Sequence, residues 1–239
     1  MSHSTALDAR PVAPGIMILS TVTGMMLAAG GFVIAIATTD VAAGTTSFWY
    51  LSRASGLVAY LLLSGSVIWG LLLSSGTGRG WMRPPQLLDA HRFLSAAGAG
   101  FACFHSVVLT GDRYVSFPLA AIVVPFAGTY EPLLVAFGQV AMWLSLLLIV
   151  SFHIRRYIGG RAWRRLHYAS FVAFWLALAH GALLGAERTT VWAGTLYLAT
   201  AAAVVFLTCY RVLTTPRVQT LLIGRRAGAN SAVRVLRAV

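Results

Sequence analysis

The sequence predicts an all-α fold, a polytopic membrane protein built as a six-helix transmembrane bundle, and three observations carry that expectation. Hydrophobic residues make up 58% of the 239 and charged residues only 10%, with a mean hydropathy of +0.78, which is too apolar for a soluble domain. The apolar residues gather into runs of roughly 20, the length needed to cross about 30 Å of hydrocarbon. All 18 basic residues are arginine and cluster between those runs. They read as a topology signal and not as a nucleic-acid surface, so the expected environment is a lipid bilayer, with no nucleic acid.

Residues 1–14 form a polar tail containing Pro11 and Pro14. Residues 15–213 form the transmembrane domain, and residues 214–239 a basic tail. The first span, Gly15 to Ala37, is 23 residues without a charge. Its end, AIATTD, also resembles a signal-peptide cleavage site, but the run exceeds the roughly 7–15 residues of a signal core, so a span is expected. The second span covers Tyr50 to Leu73 and carries Arg53, which needs either an anionic partner or a snorkelling route to water. A Gly/Pro-rich basic loop, 74–86, leads to the third span, Leu87 to Thr110. The link 111–131, interrupted by Pro118 and Pro125, reads as an interfacial cap and not a span. The fourth span runs from Leu133 to Ser151, and HIRRYIGGRAWRR follows as a sharp basic turn. The fifth is Trp163 to Leu184 and the sixth Thr190 to Leu213. Only Cys103 and Cys209 are present, at opposite faces of the expected bundle, so neither an intrachain disulfide nor a thiolate cluster is expected.

With both termini cytoplasmic, 15 arginines fall inside and three, Arg53, Arg113 and Arg188, fall outside together with Asp40, Asp112, Glu131 and Glu187. The positive-inside rule therefore sets six spans in a multi-pass cell-membrane arrangement.

Four of the six histidines lie in two end-to-end pairs: HRFLSAAGAGFACFH from His91 to His105, and HYASFVAFWLALAH from His167 to His180. Spacings of 14 and 13 residues separate the members of each pair by roughly 20 Å along a helix. In the expected topology the third and fifth spans run the same way, so His91 shares a leaflet with His167, and His105 with His180. Imidazole is a standard axial haem ligand, and these two levels suit two stacked haems, held by His91/His167 and His105/His180. A lone intramembrane histidine is as well explained by an interhelical hydrogen bond or a proton relay; two matched pairs are not. The AAGAG stretch lets a flat group approach the helix backbone. One mismatch stands: 14 residues return to nearly the same helix face, whereas 13 leave a turn of about 220°. Either the fifth helix is distorted or its two histidines meet their partners at different edges. His153 has no partner at a matching distance and reads as interfacial, and His3 lies in the tail.

The runs WYLSRASGLVAYLLL, HRFLSAAGAGFACFH and RAWRRLHYASFVAFWLALAH resemble the ferric reductase-like transmembrane domain. That six-helix haem-binding core is shared by NADPH oxidases, ferric-chelate reductases and the membrane subunit of a methionine sulfoxide reductase. The resemblance covers Tyr50 to Leu213 and implies haem-iron ligation by His91, His105, His167 and His180. It further implies transmembrane electron transfer by a di-haem b-type cytochrome, from a cytoplasmic or quinol donor to an acceptor on the outer face. IGGRAWRRLH is similar to the sulfoxide reductase subunit, and the second histidine on the third span is closer to the oxidases. Two b haems are expected as cofactors, without a CxxCH attachment motif. Arg92, Arg164 and Arg165 are placed to meet propionates of the inner haem, and Arg53 or Arg113 those of the outer one, because half-buried carboxylates need charged partners. Phe174, midway along the second histidine run, is a candidate aromatic between the cofactors; ordinary packing is its competing role. The 26 residues after Leu213 are too few for flavin- and nicotinamide-binding domains of roughly 100 residues each, so no flavin is expected on this chain. A separate flavoprotein or quinol is expected as donor. The competing readings are a proton-coupled permease using the same histidines, which broken helices and inverted repeats would favour, and a membrane anchor for a redox enzyme.

Overall fold

A computed structural model of the chain describes residues 47–76, 84–111 and 117–214. The first expected span, Arg113, residues 77–83 of the expected loop, the N-terminal tail and residues 215–239 lie outside the described residues. The described residues hold helices and no strand, in the order α1 (Ser47–Ser75), α2 (Pro84–Val108), α3 (Leu119–Val123), α4 (Pro132–Ile158), α5 (Gly160–His167), α6 (Ala169–Leu184) and α7 (Val191–Thr214). Five helical segments are long and apolar enough to cross a membrane: Phe48–Ser75, Pro85–Gly111, Pro132–Ile158, Gly160–Leu184 and Val191–Thr214. They match the expected second to sixth spans, and the chain is a membrane protein.

Local sequence sets these boundaries. Prolines open α2 and α4 at first-turn positions, where the missing N–H has no intrahelical partner to lose. Serines inside the apolar helices bond back to their own helix: Ser55 Oγ donates to the Leu51 carbonyl at 2.7 Å and Ser145 Oγ to Ala141 at 2.8 Å. Among its described residues the link before α4 forms the five-residue α3, which is tied to α4 by Gln139 and Trp143 donating to the carbonyls of Ile122 and Val123.

The basic turn expected over residues 153–165 is mostly helix. α4 continues through Arg155 and Arg156 to Ile158, and the chain reverses at Gly159 alone, whose φ of +81° is open to glycine at little cost. Charged residues need not end a helix whose last turns have reached the polar face, and basic side chains suit its C-terminus.

α1 is the central element, packed against α2, α6 and α7. Tyr60 on α1 reaches Thr200 on α7 at 2.5 Å and meets the Tyr197 ring edge-on at 5.0 Å. The burial pattern is that of a bundle in lipid: Ser52, Ser64, Ser66, Gln139 and Ser151 are buried, whereas Leu147, Val150, Trp175, Leu198 and Phe206 are exposed.

Candidate functional site

The four intramembrane histidines meet as two facing pairs. His91 on α2 stands opposite His167, the last residue of α5, with ring centroids 6.1 Å apart and planes at 76°. His105 on α2 stands opposite His180 on α6 at 6.4 Å and 75°. Two imidazoles ligating one ion from opposite sides place their ring centres roughly 6.3 Å apart, from about 2.0 Å of metal–nitrogen bond and about 1.15 Å of ring radius on each side. Edge contact between aromatic rings falls in a similar window of about 4.5–7 Å, so the spacing alone does not decide the role. The ring nitrogens discriminate better.

Three of the four rings give Nδ1 to a helix backbone. His105 Nδ1 bonds the Ser52 carbonyl at 2.8 Å, His91 Nδ1 the Ser66 carbonyl at 3.0 Å, and His180 Nδ1 the Leu134 carbonyl at 2.8 Å. A carbonyl only accepts, so Nδ1 carries the proton in each neutral ring and Nε2 keeps its lone pair. That is the tautomer, and the outer hydrogen bond, by which proteins orient metal-ligating histidines.

The same three contacts share a construction. Each accepting carbonyl lies four residues before a glycine: Ser52 before Gly56, Ser66 before Gly70, Leu134 before Gly138. A Cβ at Gly56 would lie 3.0 Å from His105 Nδ1, one at Gly70 3.2 Å from His91 Cε1, and one at Gly138 2.8 Å from His180 Nδ1. Because the carbonyl of residue i points toward residue i+4, a missing side chain at i+4 lets an imidazole reach it. On α1 the two cradles repeat at 14 residues, the spacing of His91 and His105 on the antiparallel α2.

The fifth expected span is distorted between its histidines. The helix breaks at Tyr168, whose N–H bonds the Arg165 and Leu166 carbonyls, and Phe171 N–H bonds the Tyr168 carbonyl at 3.1 Å. Closures over three residues turn the chain by about 120° per residue instead of 100°. His167 therefore sits on a helical piece of its own, and the 13-residue spacing need not return to one face of a single straight helix.

Each pair lies in a cavity, called inner and outer after the expected orientation. The inner cavity, about 350 Å³, is lined by His91, His167, Arg92, Arg164, Arg211, His153, Trp163 and Phe174. The outer one, about 570 Å³, is lined by His105, His180, Arg53, Glu187, Arg188 and Gln139. Both fall in the roughly 300–1,000 Å³ range of cofactor and ligand sites. Leu63 and Ala177 line both cavities.

The expected arginines separate. Arg92 and Arg164 line the inner cavity, and Arg165 lines neither. Arg92 also bonds Asp89 at 3.3 Å and lies over the Phe152 ring. Arg53 has its anionic partner within the protein: it is ion-paired with Glu187 and lies 4.0 Å over the Trp49 ring. Phe174 is buried, packs with Leu71 and Val204, and borders only the inner cavity. His153 is exposed, with Nδ1 bonded to the Ile149 carbonyl of its own helix at 2.9 Å.

Sequence reading missed Trp163, Arg188 and Arg211 as lining residues, together with the glycine cradles. The cradles had a legible signal, Gly56 and Gly70 at the same 14-residue interval as the first histidine pair. No protein-family model matches the chain, and no curated protein or solved structure matches it either.

Proposed function

We propose that the chain is a di-haem membrane cytochrome b of ferric reductase-like type, carrying electrons across the bilayer from a cytoplasmic flavoprotein or quinol to an acceptor at the outer face. The observation that carries this reading is the doubled histidine pair at 6.1 and 6.4 Å, with three of the four imidazoles held by Nδ1 in the ligating tautomer. Among the described residues no group of three or more His, Cys, Asp or Glu is placed to hold a bare ion. Iron in a macrocycle brings further ligands of its own, which suits a site that offers two imidazoles.

Haem supplies one-electron exchange between ferric and ferrous iron when bound. His91 and His167 would hold one group and His105 and His180 the other. Arg92, Arg164 and Arg211 give the inner cavity a positive rim suited to carboxylates. On the outer side the Arg53 charge is offset by Glu187, which leaves Arg188 as the cation without a salt-bridge partner among the described residues lining that cavity. Leu63 and Ala177, which line both cavities, would lie between the two groups.

A pyridine haemochrome assay on the purified chain, expressed with adequate haem supply, tests the reading. The expected result is two b-type haems per chain, reducible by dithionite. A folded chain that binds no haem refutes it and turns attention to the proton-relay alternative.

A further inference from the structure

The four histidines are not held alike. His91, His105 and His180 each donate Nδ1–H to a carbonyl across a glycine cradle, and the cradle of His91 is reinforced by Ser66 Oγ, 2.6 Å from Ser95 Oγ, which in turn donates to the His91 carbonyl. His167 has no hydrogen bond of its ring to any described residue; its ring is stacked on Trp163, with centroids 5.1 Å apart and planes at 25°.

The element that carries His167 is also weakly anchored. α5 is eight residues long and has no buried residue. It is bounded by a bend at each end, the positive-φ Gly159 and the break at Tyr168. Nothing lies within 4 Å of a Cβ built at Gly159, and only the Arg164 side chain lies near one at Gly160. α5 can therefore shift as a short rigid piece without emptying a packed core.

A second observation concerns the residue on which His167 is stacked. Among the described residues Trp163 Nε1 is buried without a hydrogen-bond partner, and Trp163 lines the inner cavity one turn before His167. A buried N–H left unpaired is costly, and this one belongs to the ring stacked on His167, which has no hydrogen bond of its ring among the described residues.

We propose that His167 is an exchangeable ligand, so that the inner cavity binds a small neutral diatomic of the carbon monoxide class in its place, with the Trp163 indole N–H as its hydrogen-bond donor. This rests on the di-haem reading. With iron held between His91 and His167, the exchange would break the bond from iron to His167 Nε2 and form one from iron to carbon. No electron changes hands and no proton moves. His91 stays in place because its Nδ1–H and the Gly70 cradle hold the ring. The outer pair does not exchange, since both of its rings are tied to backbone carbonyls.

Carbon monoxide titration of the dithionite-reduced, full-length protein tests this, with haem content measured on the same sample. The expected result is one carbon monoxide bound per two haems. Binding should persist in His180→Ala, which loses the outer site, and Trp163→Phe should keep the stoichiometry while shifting the C–O stretching band. Two haems with no carbon monoxide bound, or binding that disappears in His180→Ala, would overturn the assignment while leaving the di-haem reading intact. An unmoved C–O band in Trp163→Phe would remove Trp163 from it. Absence of haem from the starting sample would instead overturn the reading underneath.

Discussion

Replacing Gly138 with alanine should alter the outer site through one contact. The new Cβ would lie 2.8 Å from His180 Nδ1 and 2.9 Å from Cε1, whereas relaxed contact between such atoms needs roughly 3.5 Å. Backbone cannot yield easily in the second turn of α4, so the imidazole must withdraw by about 0.7 Å, and its bond to the Leu134 carbonyl, now 2.8 Å, stretches past the useful limit of about 3.2 Å. A neutral hydrogen bond is worth about 1 kcal/mol. On the di-haem reading, its loss would make the imidazole a weaker donor, which destabilises ferric iron more than ferrous. The outer midpoint potential should therefore rise, by about 40 mV if the whole of that energy is expressed in a one-electron couple. Overpacking adds about 1–3 kcal/mol of strain and should lower retention of the outer haem. Potentiometric titration followed in the visible spectrum, with haem quantified on the same sample, reads both effects. Gly194→Ala is the control, because nothing lies within 4 Å of a Cβ there. If Gly138→Ala keeps full haem and an unmoved outer potential, the cradle does not position His180.

Alanine at His105 or His180 should remove the outer haem and leave the inner one, because the pairs share no ligand and stand roughly 20 Å apart along the helices; equal loss of both from a folded variant would break the pairing. His153→Ala should retain both haems, since that ring is exposed and bonded to its own helix, and the haem-to-protein ratio checks it.

What the sequence made legible follows from what each signal depends on. Five spans match because apolar run length is a property of the chain itself, set by the bilayer. The histidine pairing was equally accessible, because parallel spans three and five turn linear spacing into shared levels. The helical continuation through Arg155 and Arg156 was not: charge was read as a loop signal, although arginines at a helix C-terminus are both solvated and favoured. The break at Tyr168 was visible only as a phase error of 13 residues against 14. Its location depends on backbone hydrogen bonds that no side chain in YASF announces. The arginines were harder still. Which cavity Arg188 or Arg211 borders depends on how α6 and α7 dock on α1, a tertiary fact absent from local pattern.

Arg53 shows how a partner chosen from one end of the chain can lie at the other. An intramembrane arginine needs an anion or a snorkelling route to water, and the anion considered was a cofactor carboxylate; Glu187, 134 residues on by subtraction of the two positions, fills that role. The pair borders the outer cavity with side chains 27% and 30% exposed. Because it is neutral as a unit, removing either member should act more strongly on the outer haem than removing both. Arg53→Ala leaves a carboxylate facing the site and lowers the outer potential, whereas Glu187→Gln leaves a guanidinium and raises it. One unit charge at about 10 Å in an effective dielectric of about 20 amounts to roughly 1.7 kcal/mol, or about 70 mV. Solvent reaches these side chains, so a shift of some tens of millivolts is the expectation at low salt, shrinking as ionic strength rises. The double variant Arg53→Ala/Glu187→Gln should return the potential close to that of the parent. Shifts of the same sign in both single variants would mean that Arg53 acts through packing on Trp49 and not through its charge.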